Sequence, residues 1–250
     1  MQQWEKKLEE ARRFFGIENY PGNLFEFFSD YKSVIDKYNL LLFKQDIDKL
    51  SGFIGYNNGY TIICVNYKRN IGHQNFTLAH ELGHMFLHNG ISKSDINPER
   101  PGFDTEELEA NKFASELIYP QNLVNKDSQY IIENDLLDQE NWDELADYIN
   151  SLCEIYYTSF KFTFYKLTGN SFGTYSAKNK FYKRFTKYIG KLSSRFSKFM
   201  HVADSSHEFY QPYYEPYNYM KVLVKELIKE KELGLETGDA IIDRYEYLEG

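Results

Sequence analysis

The run His80-Glu81-Leu82-Gly83-His84 constrains this chain more than any other feature. Residues at i and i+4 project from one face of a helix, so both imidazoles can reach one ion only if this segment is helical. The surroundings agree: Phe76, Ala79 and Phe86 supply buried anchors for a helix over residues 75–88, which Asn89-Gly90 stops. Zn²⁺ suits two neutral imidazoles plus a carboxylate and keeps a fourth position for water. Glu81, one residue beyond the first histidine, is then placed to take that water's proton. Two histidines hold zinc poorly, so a third ligand is required. Glu107, Glu109 and Glu116 all fall on the next predicted helix, and spacing does not choose among them. An acidic helix start is also explained in part by the helix dipole, without any metal.

The remaining chain must build a scaffold for that helix. With 42% hydrophobic residues in 250, it can bury a core, which excludes wholesale disorder. Cys64 and Cys153 form neither a disulfide framework nor a metal-ligand pair. Met1-Gln2-Gln3-Trp4-Glu5-Lys6-Lys7 lacks the apolar core of a secretory signal, and no run nears the roughly 20 apolar residues of a membrane span. The expectation is a soluble, cytoplasmic protein with no membrane partner.

Periodicity predicts a helix over residues 3–15 and a second over 24–38, entered through Pro21-Gly22-Asn23. Short apolar runs at 40–43, 52–56 and 60–65 read as strands, the last two joined by the hairpin signal Asn57-Asn58-Gly59. Residues 90–104 read as a loop, and Thr105 opens a helix that ends near Pro120. Residues 142–152 are helical, while 155–167 fit either a strand or a helix. Further helices are predicted over 178–200 and 219–231. The fold class is therefore α+β: mainly helical, with a small antiparallel or mixed sheet next to the metal-binding helix, followed by a helical C-terminal region.

The run Asn75-Phe76-Thr77-Leu78-Ala79-His80-Glu81-Leu82-Gly83-His84-Met85-Phe86-Leu87-His88 is followed by Glu107-Leu108-Glu109-Ala110-Asn111-Lys112-Phe113-Ala114-Ser115-Glu116-Leu117-Ile118-Tyr119-Pro120. Together they resemble the ImmA/IrrE family of metallopeptidases, and the likeness extends over roughly residues 1–120. It implies a zinc metallopeptidase core at 1–125 and a helical region at 126–250 able to bind substrate or partner. It also implies that the third ligand is Glu107, with His80 and His84, and that Glu81 is the catalytic base for peptide-bond hydrolysis. Glu109 is the fallback ligand. Asn111, four residues beyond Glu107, could hold it from behind. Tyr119 stands where the family more often has Met, a difference expected to alter packing rather than chemistry. The implied substrate is a protein, a helix-turn-helix repressor encoded nearby, whose cleavage would derepress mobile-element or stress genes.

Other residues carry weaker readings. His88 reads as a structural residue or a support for the ligands, and His73 as a loop or cap residue. His201, His207 and several C-terminal tyrosines are undiscriminated candidates for an oxyanion donor. Strand 60–65 is equally an exposed edge for a peptide or an internal strand. Lys178, Lys180, Lys183, Arg184, Lys187, Lys191, Arg195 and Lys198 give residues 171–200 a charge of +8, so the rest of a chain of net charge −8 carries −16. Residues 127–147 hold eight acidic and no basic residues. Packing of the basic helix on the domain is favoured over contact with nucleic acid. The rival functions are a non-proteolytic regulator that binds a partner, or a toxin–antitoxin component, each with a structural metal.

Overall fold

The computed structural model describes residues 3–88 except 46, 48 and 58, residues 93–95, residues 105–190 except 170 and 173, and isolated positions between 225 and 242. Three helices open the chain: α1 (Gln3–Phe15), α2 (Leu24–Phe27) and α3 (Tyr31–Tyr38). Leu8, Ala11 and Phe15 turn one face of α1 to the core. The single helix expected over 24–38 is two. Asn23 caps α2 by accepting from the Phe25 N–H, and Asp30 restarts the helix by accepting from Ser33 N–H. Such side chains compete with the backbone for its own donors, and here they break a continuous apolar stripe.

Strands β1 (Leu40–Gln45), β2 (Gly52–Asn57), β3 (Tyr60–Asn66) and β4 (Lys93–Asp95) form one mixed sheet in the order β1-β3-β2-β4. β2 and β3 pair antiparallel, with Asn57 opposite Tyr60, as the hairpin signal predicted. β1 runs parallel to β3, with Leu40 opposite Thr61. β3 is thus internal, and its reading as an exposed edge falls. Ile54, Ile63, Val65, Leu40 and Leu42 join the main core, while Leu41, Phe43 and Cys64 meet Ile35 on the other face. β4 corrects the loop expected at 90–104: Lys93-Ser94-Asp95 pairs with Ile54, Phe53 and Gly52, and three polar residues carry no alternation by which to recognise a strand.

Helix α4 (Ile71–Leu87) carries the histidines and is buried almost all round. It starts four residues before the expected position, because Asn70 accepts from the His73 N–H at 2.8 Å and supplies the cap. Next come α5 (Thr105–Ile118) and α6 (Gln121–Glu133). Pro120, extended at φ −61° and ψ 146°, stops α5 as expected but also stands at the N-cap of α6, which the periodicity did not reveal. Only Val124 and Ile131 of α6 are buried, too few for a stripe.

The last described helices are α7 (Trp142–Tyr156), α8 (Phe160–Leu167) and α9 (Tyr175–Ile189), with one 3₁₀ turn at Gln139–Asn141. The ambiguous segment is helical: Tyr157 takes a left-handed conformation that ends α7, and Ser159 caps α8 through the Phe162 N–H. Phe160, Phe164 and Leu167 lie on its buried face. The stripe on α9 packs inward, with Phe185 and Ile189 buried and Phe181 and Tyr188 edge-on to Trp142. Arg184 lies over the Trp142 ring. The expected stripe residues Leu192, Phe196 and Phe199, the basic residues Lys191, Arg195 and Lys198, and most of the 219–231 helix lie outside the described residues. Among the described residues, no helix is long and apolar enough to cross a membrane.

Asn75 joins three parts of this scaffold. Its Oδ1 accepts from Leu24 N–H at 2.8 Å, and its Nδ2 donates to Gly22 O at 2.9 Å and Tyr157 O at 3.1 Å. One side chain, 1% exposed, therefore ties α4 to the entry of α2 and the end of α7. Asn75→Ala strands buried backbone groups and is expected to cost about 3 kcal/mol, read by chemical denaturation. Asn75→Asp, which keeps the acceptor and loses the donors, should be destabilised as well; an unchanged midpoint for both would refute the tie.

Candidate metal centre

Helices α4 and α5 meet where Gly83 faces Ala110. A Cβ at Gly83 would stand 3.2 Å from the Ala110 Cα and carbonyl oxygen, tighter than ordinary contact, so these two small residues let the backbones approach. Phe86 and Phe113 stack one turn further along, their centroids 6.2 Å apart. Glu107, one turn before Ala110, then reaches the histidine face of α4. Its Oε2 lies 3.2 Å from His80 Nε2 and its Oε1 3.3 Å from His84 Nε2. The two Nε2 atoms are 3.0 Å apart.

Ligands about 2.0–2.1 Å from a tetrahedral ion stand roughly 3.3 Å from one another, so these spacings fit a single cation. Among the described residues, His80, His84 and Glu107 place one ligand atom each within 4.8 Å of the others. Both histidines are buried. Burial alone would raise the Glu107 carboxyl, but its contacts with His80 and His84 outweigh that and hold it well below the usual carboxylate range. An ionised carboxylate between two imidazoles is the ligating form of this donor set.

The other carboxylates go elsewhere. Glu109 Oε2 lies 3.7 Å from His88 Nε2, away from the Nε2 pair. Glu116 holds Lys166 Nζ at 2.9 Å and accepts from Gln121 N–H at 2.9 Å. His88 stands behind a candidate ligand: its Nδ1 is 3.0 Å from His84 Nδ1, the nitrogen facing away from the Nε2 pair. His73 is neither loop nor cap; it lies in the first turn of α4, its Nε2 3.0 Å from Ser51 Oγ. Asn111 does not hold Glu107: both its amide atoms are buried and make no hydrogen bond. Tyr119 has a packing role, fully buried, stacked on Tyr156 at 4.0 Å and donating to Asp127 at 2.7 Å. His201 and His207 lie outside the described residues.

Glu81 is 1% exposed and faces the start of β2, where a Cβ on Gly52 would lie 3.0 Å from its Oε1 and 2.5 Å from Thr77 Cγ2. Gly52 carries no motif that marks it as part of the site. The available signal was a glycine at a strand end, which marks close approach of another element.

This geometry separates the candidate ligands by experiment. Glu107→Ala should abolish stoichiometric metal uptake measured by elemental analysis, while Glu109→Ala retains it. His88→Ala, which frees the back of the His84 ring, should weaken affinity by roughly 10- to 100-fold in a chelator competition. Undiminished uptake by Glu107→Ala would refute the ligand set.

Residues 37–156 match the family model described as the IrrE N-terminal-like domain, Peptidase_M78. The chain is 30% identical over 99 residues to Metallopeptidase ImmA of Bacillus subtilis (strain 168), covering 39% of this chain and 59% of that protein. It is 32% identical over 90 residues to the uncharacterized immunity region protein 2 of Bacillus phage phi105, covering 34% and 56%. The chain thus spans less than two thirds of the length of either relative. The matched segment runs from the end of α3 to the end of α7 and contains both helices that carry the donors. On these matches, residues 37–156, the segment that carries the donors, are similar to the IrrE N-terminal-like domain of the ImmA/IrrE metallopeptidases.

Proposed function

We propose that this protein is a zinc-dependent, site-specific endopeptidase that acts in the cytoplasm on a protein substrate. The observation that carries the reading is the convergence of His80, His84 and Glu107 beside a buried Glu81. Three protein donors plus an adjacent carboxylate suit a catalytic ion, since structural zinc is usually held by four protein ligands and has no use for a base. Zinc is the ion proposed, because two imidazoles and a carboxylate are one of its common catalytic donor sets. When bound, it supplies Lewis acidity at the scissile carbonyl and at the attacking water. Glu81 accepts the water proton and delivers it to the leaving amine. Its burial against β2 limits the rotamers open to it, which keeps the carboxylate oriented for both transfers. His88 acts behind His84 and fixes the orientation of that ring.

In this reading residues 1–125 carry the chemistry and 126–250 carry recognition. The proposed substrate is a helix-turn-helix repressor encoded nearby, cleaved to derepress mobile-element or stress genes. A relative named as a phage immunity region protein supports that setting, and one named Metallopeptidase ImmA supports the reaction.

The test is cleavage of the neighbouring repressor by wild type and by Glu81→Gln, with metal content measured in both. The variant should keep its metal and lose about 10²- to 10⁴-fold in rate, the range of a positioned general base. Equal cleavage by both proteins would sink Glu81 as the base. Absence of cleavage by metal-loaded wild type, with partner regulation intact in Glu81→Gln, would replace the peptidase by a binding protein.

A further inference from the structure

A cavity of about 480 Å³ lies beside the metal centre, bounded by Phe76 and Asn111 and by Phe162, Tyr165, Lys166 and Tyr175. Its volume falls in the range of roughly 300–1,000 Å³ typical of small-ligand sites. Its position follows from helical spacing. Phe76 is one turn before His80 on α4, and the two rings stack with centroids 6.5 Å apart. Asn111 is one turn beyond Glu107 on α5. The cavity therefore begins about one helical pitch, roughly 5.4 Å, from two of the three ligand-bearing residues. An extended peptide advances about 3.3 Å per residue, so a side chain next to a bond held at the centre reaches it.

The lining says what that side chain is. Phe162 from α8 packs on Phe76 at 5.3 Å, and Tyr165 on Tyr175 at 6.0 Å, which makes the walls aromatic. The charge of Lys166 is already engaged: its Nζ donates to the Ser115 carbonyl, to Ser115 Oγ and to Glu116, so an anionic guest gains little there. Glu116 is spent on the same contact. Tyr165 OH donates to Asn179. Among the described residues, Asn111 differs: its amide nitrogen and oxygen are buried, hydrogen-bond to nothing, and belong to a side chain that bounds the cavity. Leaving such an amide unsatisfied is costly, and a guest carrying a peptide group would supply both a donor and an acceptor.

We propose that this cavity is the specificity pocket, receiving a large aromatic side chain adjacent to the scissile bond, with Asn111 hydrogen-bonding the main-chain amide of that residue. The proposal rests on the endopeptidase reading for its biological meaning, but the pocket binds its guest without turnover. Aromatic walls favour a ring by offset and edge-to-face contacts beyond simple burial. The C-terminal helices thus complete the cleft: α8 contributes the wall that α4 and α5 lack.

The test uses the full chain loaded with Co²⁺ and the probe N-acetyl-4-fluoro-L-phenylalaninamide, followed by ¹⁹F NMR. Saturable binding is expected, with paramagnetic relaxation of the fluorine that places it beside the ion, and with N-acetylglycinamide failing to compete. Phe162→Trp, which fills the cavity, should weaken binding by roughly tenfold or more. Asn111→Leu removes an amide that has no protein partner, so it keeps the fold and should weaken the probe to a similar degree. No saturable binding, no relaxation by Co²⁺, or affinity unchanged in both variants would overturn the pocket. In parallel, a peptide library should show wild type cutting next to Phe, Tyr or Trp, with that preference reduced in Phe162→Trp. Failure of metal-loaded wild type to cut any peptide or protein, with the probe still bound and relaxed, would count against the peptidase reading and leave the pocket standing.

Discussion

The approach of two helix backbones at Gly83 and Ala110 decides whether the candidate donors of this protein come within reach of one ion. Glu107 is one turn from Ala110, and His80 and His84 flank Gly83, so separation at the crossing is transmitted directly to the donor distances. A helix with larger residues there would hold its neighbour off by an ångström or more, and donors now 3.0–3.3 Å apart would no longer share one ion. The same closeness buries the imidazoles and the carboxylate together. That burial is tolerable because they meet one another, with each contact offsetting the desolvation of its partner.

Burial of α4 on nearly every side creates a second requirement, since the helix carries many polar residues inside the protein. Several of them have defined partners. Asn75 ties to α2 and to the end of α7, Gln74 Nε2 donates to the carbonyls of Tyr67 and Arg69, and His73 meets Ser51. His84 uses one nitrogen toward the centre and the other toward His88. A helix fixed so completely cannot roll about its axis, and the ligand face is held in position before any ion arrives.

How much of this was legible in the sequence depended on whether the information was local. The helical histidine pair, the hairpin and the amphipathic helices α1 and α7 each rest on periods or turns of a few residues, and the structure places them where expected. Glu107, Glu109 and Glu116 could not be ranked by spacing, because what separates them is which turn and face of α5 meets the histidine face of α4, a property of no single segment. Resemblance to the family pointed to Glu107, and the geometry gives the physical reason. β4 and the pairing of β1 with β3 were hidden for the same cause: a three-residue polar strand is defined by its neighbour. The split between α2 and α3 was local and still missed, since Asp30 as a cap was outweighed by the apolar stripe around it.

The charge pattern of the chain also has a structural use. The basic residues of α9 lie opposite an aromatic stripe that covers Trp142, at the start of the acidic α7. Arg184 donates to Gln139, and Tyr188 is hydrogen-bonded to Asp143, which raises its hydroxyl pKa. These polar contacts are exposed and hold α9 only weakly, so the buried rings must do most of the docking. Docking of α9 in turn backs α8: Phe185 packs on both Phe160 and Phe164. Phe162, on the opposite side of α8, is thereby pressed toward Phe76 and the metal-binding helix. Among the described residues, one continuous line of aromatic side chains thus runs from the seam at Trp142, through α8, to the ring beside His80.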